Sequence, residues 1–592
     1  MGEPSYEMPP TERQPDKRLD SWKEIAAYLN RDVTTVQRWE KREGMPVHRH
    51  VHAKRGSVYA LPEELDTWIE SRRAAVDDAE VAPAPPAPAA EVGDGTKRSH
   101  RSRLGLALAV LCLAVVAVAW LVWRDRARST TPTTIRSLAV LPLRNLSGVA
   151  AQDYLADGMT EALIGRLSEI HNLRVTSHTS VMRFRNPQLS VPEIARELGV
   201  DAVVEGSVIR EGDRIRVTAQ LIRGATDEHF WSETYDRELR DALTLESELA
   251  QSIAEKVEVT VTGEERQRLT ATRGVAPEVY ESYLKGRFLL NAGNTRADLD
   301  QSVSDFEDAI HRDATFAPAY LGLALAYTDL GTVYRGVSPA ETRPQVMGFA
   351  RKALALDPDL VKAHVVLANV LQEEWQWAEA EAEYRRALAL NPNAADAHAG
   401  FALWLLCEGR AQEAVAWIER GRELDPVTVS GNSVAWILFQ TRHYDESIRE
   451  QRSFLALQPD DANALFGLGF ALIANNQAVD AVPVLEKGAA LSKGSPAVMG
   501  VLVRAYAHAG RRRDGLKVLA ELKARKNAGY VPAGAFVNAY LGLDDKEQTF
   551  YWLEQAYKEK SNILQFVKTH PYFDSIRSDP RFADLVRRVG LN

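Results

Sequence analysis

Apolar positions recur every three or four residues across "DSWKEIAAYLNRDVTTVQRWEKREG", which predicts two short helices. Ile25, Ala26 and Leu29 make the stripe of the first, and Val33, Val36 and Trp39 that of the second. Asp20 or Ser21 can cap the first helix, with Glu24 in its opening turn, and Asp32 can cap the second. The pattern then shifts to alternation in "MPVHRHVHAKRGSVYAL", a hairpin turning at Arg55-Gly56, and "PEELDTWIESRR" returns to helical spacing. This compact module covers residues 18–75. Residues 76–103 follow as a spacer, "VAPAPPAPAAEVGDG" and a basic flank, too rich in Ala and Pro to build a core.

Leu104–Trp123 breaks every periodic pattern, with twenty residues and no charge. As a helix it would be about 30 Å long, the thickness of a hydrocarbon core, and the run predicts one transmembrane helix. Trp120 and Trp123 stand at its far end, with Lys97, Arg98, Arg101 and Arg103 before it and Arg124, Arg126 and Arg128 after it. The basic flanks differ little, and the slight excess on the N-terminal side favours an inside N-terminus. Residues 1–20 show no apolar stretch of the kind a secretory signal carries.

Residues 135–262 read as an α/β sandwich. "RSLAVLPLRNLSG" is a buried strand and turn, followed by an amphipathic helix with Leu155, Met159, Leu163 and Leu167 on one side. "LRVTS" is a second strand, and "SVPEIARELGV" a short helix that Ser190 can cap before Pro192. Three antiparallel strands follow, turning at Glu211-Gly212-Asp213 and Gly224-Ala225-Thr226, and a helix begins near Leu243. The order is βαβαβββα. Asp157 and Glu161 in "LADGMTE" invite a catalytic reading, yet no metal cluster, nucleophile elbow or phosphate loop accompanies them, and a helix start lying on a sheet accounts for them better.

From Pro277 to Lys560 the pattern is helical and repeats. Pro358, Pro392, Pro426 and Pro459 are spaced by 34, 34 and 33 residues, the tetratricopeptide period. Leu367, Ala368 and Leu371 fill the Leu-Gly-Tyr slots of a first helix, and Ala380, Tyr384, Ala387 and Pro392 those of a second. Phe401, Ala402, Leu405, Ala414, Ile418, Gly421 and Pro426 do the same one unit later, and Tyr320, Leu323, Ala324 and Tyr327 open an earlier one. About ten residues are inserted near "GTVYRGVSPA", and Gln451 stands in an aromatic slot. Roughly eight units at 277–560 predict an all-α solenoid, with 561–592, "HPYFDSIRSDPRFADLVRRVG" included, as its cap. Such a stack offers an extended groove to a peptide or protein partner; a scaffold with no dedicated ligand is the plainer reading.

Composition sharpens the first module. Net charge is -9, which excludes a whole-chain nucleic-acid coat and leaves only local binding. Between Arg31 and Arg55 stand seven basic and three acidic residues. Thr34, Thr35, Gln37, Arg38 and Lys41 on the second helix, with Arg49, Lys54 and Arg55 on the hairpin, are the candidate DNA-binding residues: short hydroxyls, an amide and cations suit base edges and phosphates. The alternative is a small adaptor that binds protein. "HRHVH" puts His48, His50 and His52 on one strand face, but no cysteine or carboxylate completes a ligand set, so no metal is expected. The two cysteines, Cys112 and Cys407, lie in unlike segments and give no disulfide framework. No catalytic residue and no cofactor is nominated.

The first module resembles winged helix-turn-helix domains of the MerR and excisionase type, through "WKEIAAYLNRDVTTVQRWEKREGMPVHRH" and "GSVYALPEELDTWI". Residues 135–262 resemble TolB amino-terminal-like and FlgO-like envelope domains, through "LAVLPLRNLSG", "LADGMTEALI" and "DAVVEGSV". The whole arrangement resembles bacterial membrane-anchored one-component regulators of the CadC and ToxR kind, although their heads are response-regulator winged helices. That resemblance implies a single-pass transcriptional regulator of the inner membrane, head cytoplasmic, remainder periplasmic. A single helix of about 30 Å is a poor lever by itself, so regulation through a homodimer or partner capture is expected. The competing reading is an envelope scaffold that assembles protein complexes. The expected class is therefore multidomain: a small α+β winged helix-turn-helix, one transmembrane helix, an α/β sandwich and an all-α solenoid, with no enzyme among them.

Overall fold

The computed structural model describes residues 19–68, less 20, 30, 32, 44, 50–57 and 62–63, and residues 135–591, less 186–188, 271–273, 293–294, 332–336, 427–428 and 430. They divide into two units, Met1–Ser129 and Thr130–Asn592.

In the first unit, helices Trp22–Tyr28 and Val33–Glu43 are followed by strands β1 (His48–Arg49) and β2 (Val58–Tyr59), paired antiparallel, and by helical residues 64–68. Of the two candidate caps, Ser21 is the one used: its side chain accepts the Glu24 amide. Ile25, Ala26, Val36, Met45, Val58, Ala60 and Leu65 form the core, with Val33 and Trp39 packed against it. Asp32 and the turn at Arg55-Gly56 lie outside the described residues.

In the second unit, β3 (Ser137–Val140) is flanked by parallel partners β5 (Arg174–Val175) and β6 (Ala202–Glu211). Two antiparallel ladders then extend the sheet through β7 (Arg214–Arg223) to β8 (His229–Glu238). A two-residue strand, β4 (Arg144–Asn145), also pairs with β6 and was not expected. Along β7, Ile215, Val217, Ala219 and Leu221 are buried in alternation, because one face of the sheet meets helices. Those helices are Asp153–Ser168, with Leu155, Met159, Leu163 and Leu167 buried, and Ala242–Lys256, with Leu245, Leu249 and Ile253 buried. The helix Val191–Leu198 starts at a capping box of Ser190 and Glu193 and ends at Gly199, whose φ of 63° suits a residue without Cβ.

Among the described residues, sixteen helices from Pro277–Ala292 to Lys546–Lys558 follow as eight antiparallel pairs. Small residues set the approach: a Cβ on Gly400 would run into the Tyr384 ring. Gln451, in an aromatic slot, is buried and donates to Asn432 Oδ1 at 2.9 Å, so the departure from pattern is matched by a polar partner. Half of the inserted stretch near 331–340, residues 332–336, lies outside the described residues. Within residues 561–592, expected to cap the stack, Gln565 meets Gln372, Asp574 meets Arg442 and Tyr572 meets Phe470, so the segment lies along several repeats.

The membrane span is corrected. Leu104–Trp123 lies outside the described residues, and among those described no helix is long and apolar enough to cross a membrane. The longest, Pro339–Leu356, has 18 residues but carries Glu341, Arg343, Arg351 and Lys352, and Arg343 is paired with Glu373 at 2.9 Å. The fold class of the second unit is thus a mostly helical solenoid with an α/β domain, and the expected inner-membrane localisation is withdrawn with the span.

Candidate functional site

Two surfaces bear on function, one in each unit. In the first, Thr34, Thr35, Gln37, Arg38 and Lys41 all fall on the helix Val33–Glu43. Thr35 and Gln37 are half-buried. The side chains of Thr34, Arg38 and Lys41, and of Arg49 on β1, lie outside the described set, as do Lys54 and Arg55 altogether. What the structure adds is the support of this helix. Val36 is fully buried beneath it, and Trp39 meets Trp68 with ring centroids 5.7 Å apart. Tyr28 donates to Asp66 at 2.8 Å, tying the first helix to the third helical stretch. The hairpin is held by His48, which lies 5.1 Å from the Tyr59 ring and 2.7 Å from Glu64 Oε2. His48 thus has a carboxylate partner that sequence spacing did not suggest. His50 and His52 lie outside the described residues, among which no cluster able to hold a metal ion occurs.

The second surface is the inner face of the solenoid. A cavity of about 910 Å³ is lined by Leu325, Val346, Val366 and Asn369 from early helices and by Asn463, Pro496, Tyr530 and Glu559 from late ones. Early and late helices therefore face a common space. Arg343 crosses its wall, buried, donating to Glu373 at 2.9 Å and to Asn562 Oδ1 at 2.8 Å. Burial pushes the Glu373 carboxyl up, partly offset by the Arg343 guanidinium.

Asp157 and Glu161 have structural partners. Buried Asp157 accepts from Arg185 at 2.7 Å, and Glu161 pairs with Arg287 on the first solenoid helix. A second, unexpected joint connects the same two regions. Asp425, in the "RELDPV" marker, is buried and accepts from the Ser177 amide at 3.0 Å and the Ser180 hydroxyl at 2.6 Å. Arg174 donates to the Leu424 carbonyl at 3.2 Å, and Asn393 to the His171 carbonyl at 2.7 Å. Asp425 is buried and Asn393 half-buried, and it is their hydrogen bonds to a distant segment that mark the joint.

Comparison with known proteins bears on both regions. Residues 134–255 match the second domain of HilA/YgeH-like transcriptional regulators, and residues 361–394 and 435–496 match tetratricopeptide repeats. A HilA/YgeH-like regulator domain and tetratricopeptide repeats are thus present. The chain is 34% identical over 253 residues to putative adenylate cyclase 3 of Rhizobium meliloti (strain 1021), covering 42% of this chain and 42% of that protein. Among solved structures, PilW, a type IV pilus biogenesis factor, is 17% identical with a TM-score of 0.30, covering 35% of this chain and 92% of that one. A thermophilic tetratricopeptide protein of Thermus thermophilus is 17% identical with a TM-score of 0.29, covering 33% of this chain and 99% of that one.

Proposed function

We propose that this chain is a transcriptional regulator that binds DNA through its first unit and a peptide or protein partner through its repeats. The observation that carries the reading is the HilA/YgeH-like regulator domain in the same chain as the module at 18–75 with its basic stretch from Arg31 to Arg55. In this reading Thr34, Thr35, Gln37 and Arg38 meet base edges, while Lys41, Arg49, Lys54 and Arg55 meet phosphates. The buried Val36 and the Trp39–Trp68 contact hold the helix from behind, so that its other side can face a groove. The domains identified are those of a regulator and a repeat protein, and the cyclase name belongs to the relative that bears it.

The test is DNA binding by the full chain, with genome-wide mapping to find the sites. Arg38→Ala is expected to cost about 1–3 kcal/mol on a mapped site and to relax preference at one base pair, whereas Lys41→Ala weakens binding to all sequences and lowers the salt slope by about one. A folded chain with no salt-dependent affinity for any mapped DNA would leave the scaffold reading in its place.

A further inference from the structure

The segment after the last helix pair makes the contacts of a bound peptide. It crosses the first helices of five successive pairs near their C-terminal ends, meeting Gln372, Glu408, Gln440, Phe470 and Arg504 in turn. Gln372 donates to the Gln565 amide oxygen at 3.0 Å. Arg442 donates to the Thr569 carbonyl at 3.2 Å and to Asp574 at 2.8 Å. Tyr572 lies at the centre: its hydroxyl donates to the Phe470 carbonyl at 2.9 Å, and the Arg504 guanidinium covers its ring at 3.6 Å. His570 packs among Trp436, Phe439 and Phe470. A main-chain carbonyl of the segment read by Arg442, stack carbonyls read by Lys568 and Tyr572, and aromatic rings packed between are the chemistry of peptide recognition. Arg504 Nε and Nη1 are buried with no hydrogen-bond partner among the described residues, so its contact with the segment is through the Tyr572 ring.

We propose that residues 562–591 are an internal ligand of the solenoid, and that the groove from Gln372 to Arg504 admits an outside segment of the same chemistry, a proline followed by two aromatic residues, only when the internal one leaves. The proposal rests on the repeats being a partner-binding surface and is independent of the DNA-binding half of that reading. Covalent attachment keeps the internal segment at a high effective concentration, so that a free peptide competes poorly. The groove is therefore closed to weak partners and open to those that match "HPYF" well.

The experiment uses the full chain and a fluorescent peptide with the sequence of residues 565–579. The wild-type chain is expected to bind it at least about 100-fold more weakly than a chain carrying Tyr572→Ala and Phe573→Ala, whose own segment is loosened. Adding Arg504→Ala to that variant removes the binding. Equal binding by both chains, or none by a variant that keeps its helical circular dichroism, overturns the proposal. If the variant does not fold, hydrogen exchange on the wild-type chain decides. Residues 562–591 are expected to exchange together and ahead of the helices at 395–508, and exchange of both in a single step refutes the idea. DNA binding measured on the same preparations separates failure here from failure of the regulator reading.

Discussion

The α/β domain and the solenoid bury their apolar residues by opposite routes. In the domain, β6, β7 and β8 are ten residues each and pair along nearly their full length, and β3 and β5 come from distant points of the chain. Its core, from Ile135 to Val275, is built around the sheet and runs on into the first solenoid helices at Leu284 and Ala319. In the solenoid each pair packs on the next, so contacts are local and the stack has no natural end. The segment 562–591 alters that. Leu564, Val567, Phe573, Ile576 and Leu585 are buried in the same core cluster as Leu371, Leu405 and Phe470, and tie repeats together across the stack. One region thus owes its unity to strand pairing, the other to a single segment lying across its repeats. The two joints between them are also unlike. One is tight, where a Cβ on Gly158 would run into Leu284; the other is polar and centres on Asp425.

The largest effect that would break this contrast concerns the segment. Phe573→Ala removes a fully buried ring and is expected to cost about 3–5 kcal/mol. The loss should fall on the solenoid and spare the sheet, as read by hydrogen exchange on β6–β8. Equal loss in both regions would mean they unfold as one body and the contrast is only one of construction.

Ser180→Ala addresses the polar joint. It takes a 2.6 Å hydrogen bond from a buried carboxylate and is expected to cost about 1–3 kcal/mol. The cost should appear as faster exchange at both Ser177–Met182 and the region of Asp425, with the cores of the domain and the solenoid unchanged. A silent Ser180→Ala would make the joint incidental.

The smallest effect is a pair of opposite pH dependences, each at most about 1.4 kcal/mol per pH unit. Burial raises Glu246 from 4.5 to about 7, against a hydrogen bond from Tyr280 and the charge of Arg166. Its folded form prefers the proton, so its contribution is whole below 4.5 and is lost as pH rises from there to about 7. Burial, with Arg504, Arg577 and Arg442 nearby, lowers His570 from 6.5 to about 3. Its folded form prefers to stay neutral, so its contribution is whole above 6.5 and is lost as pH falls from there towards 3. Between about pH 5 and 6.5 the domain should weaken upward and the docked segment downward, measured as regional exchange at the two pH values. Glu246→Gln should flatten the first slope and His570→Gln the second.

Much of the architecture was legible in the sequence because it depends on local periods. The prolines at 34-residue spacing, the small residues facing Tyr384, and the stripe through Leu155, Met159, Leu163 and Leu167 each report a helix that must bury one side. The turn at Gly212 and the cap at Ser190 are likewise written in a few adjacent residues. The candidate DNA-binding residues rest on the sequence alone, and the structure adds the core behind the helix Val33–Glu43. The apolar run at 104–123 was read from local hydropathy alone, and no described helix has a membrane-spanning character.

Which of these pieces touch is settled only across space. No local pattern says that Asp425, at a routine helix stop, accepts hydrogen bonds from Ser177 and from Ser180, 245 residues earlier, or that β4 joins β6. Nor does any pattern say where "HPYF" goes: its aromatic residues announce burial but not which helices bury them. The choice was made by pockets between helices far apart in sequence, lined by Trp436, Phe470 and Arg504. Periodicity is a property of neighbours along the chain, so the order of residues dictates the helices, the repeat and the strands without help from distant parts. The partner of a buried face is set by shape and hydrogen-bond fit between distant segments, so the docking of the domain and the course of the final segment appear only once the chain is folded.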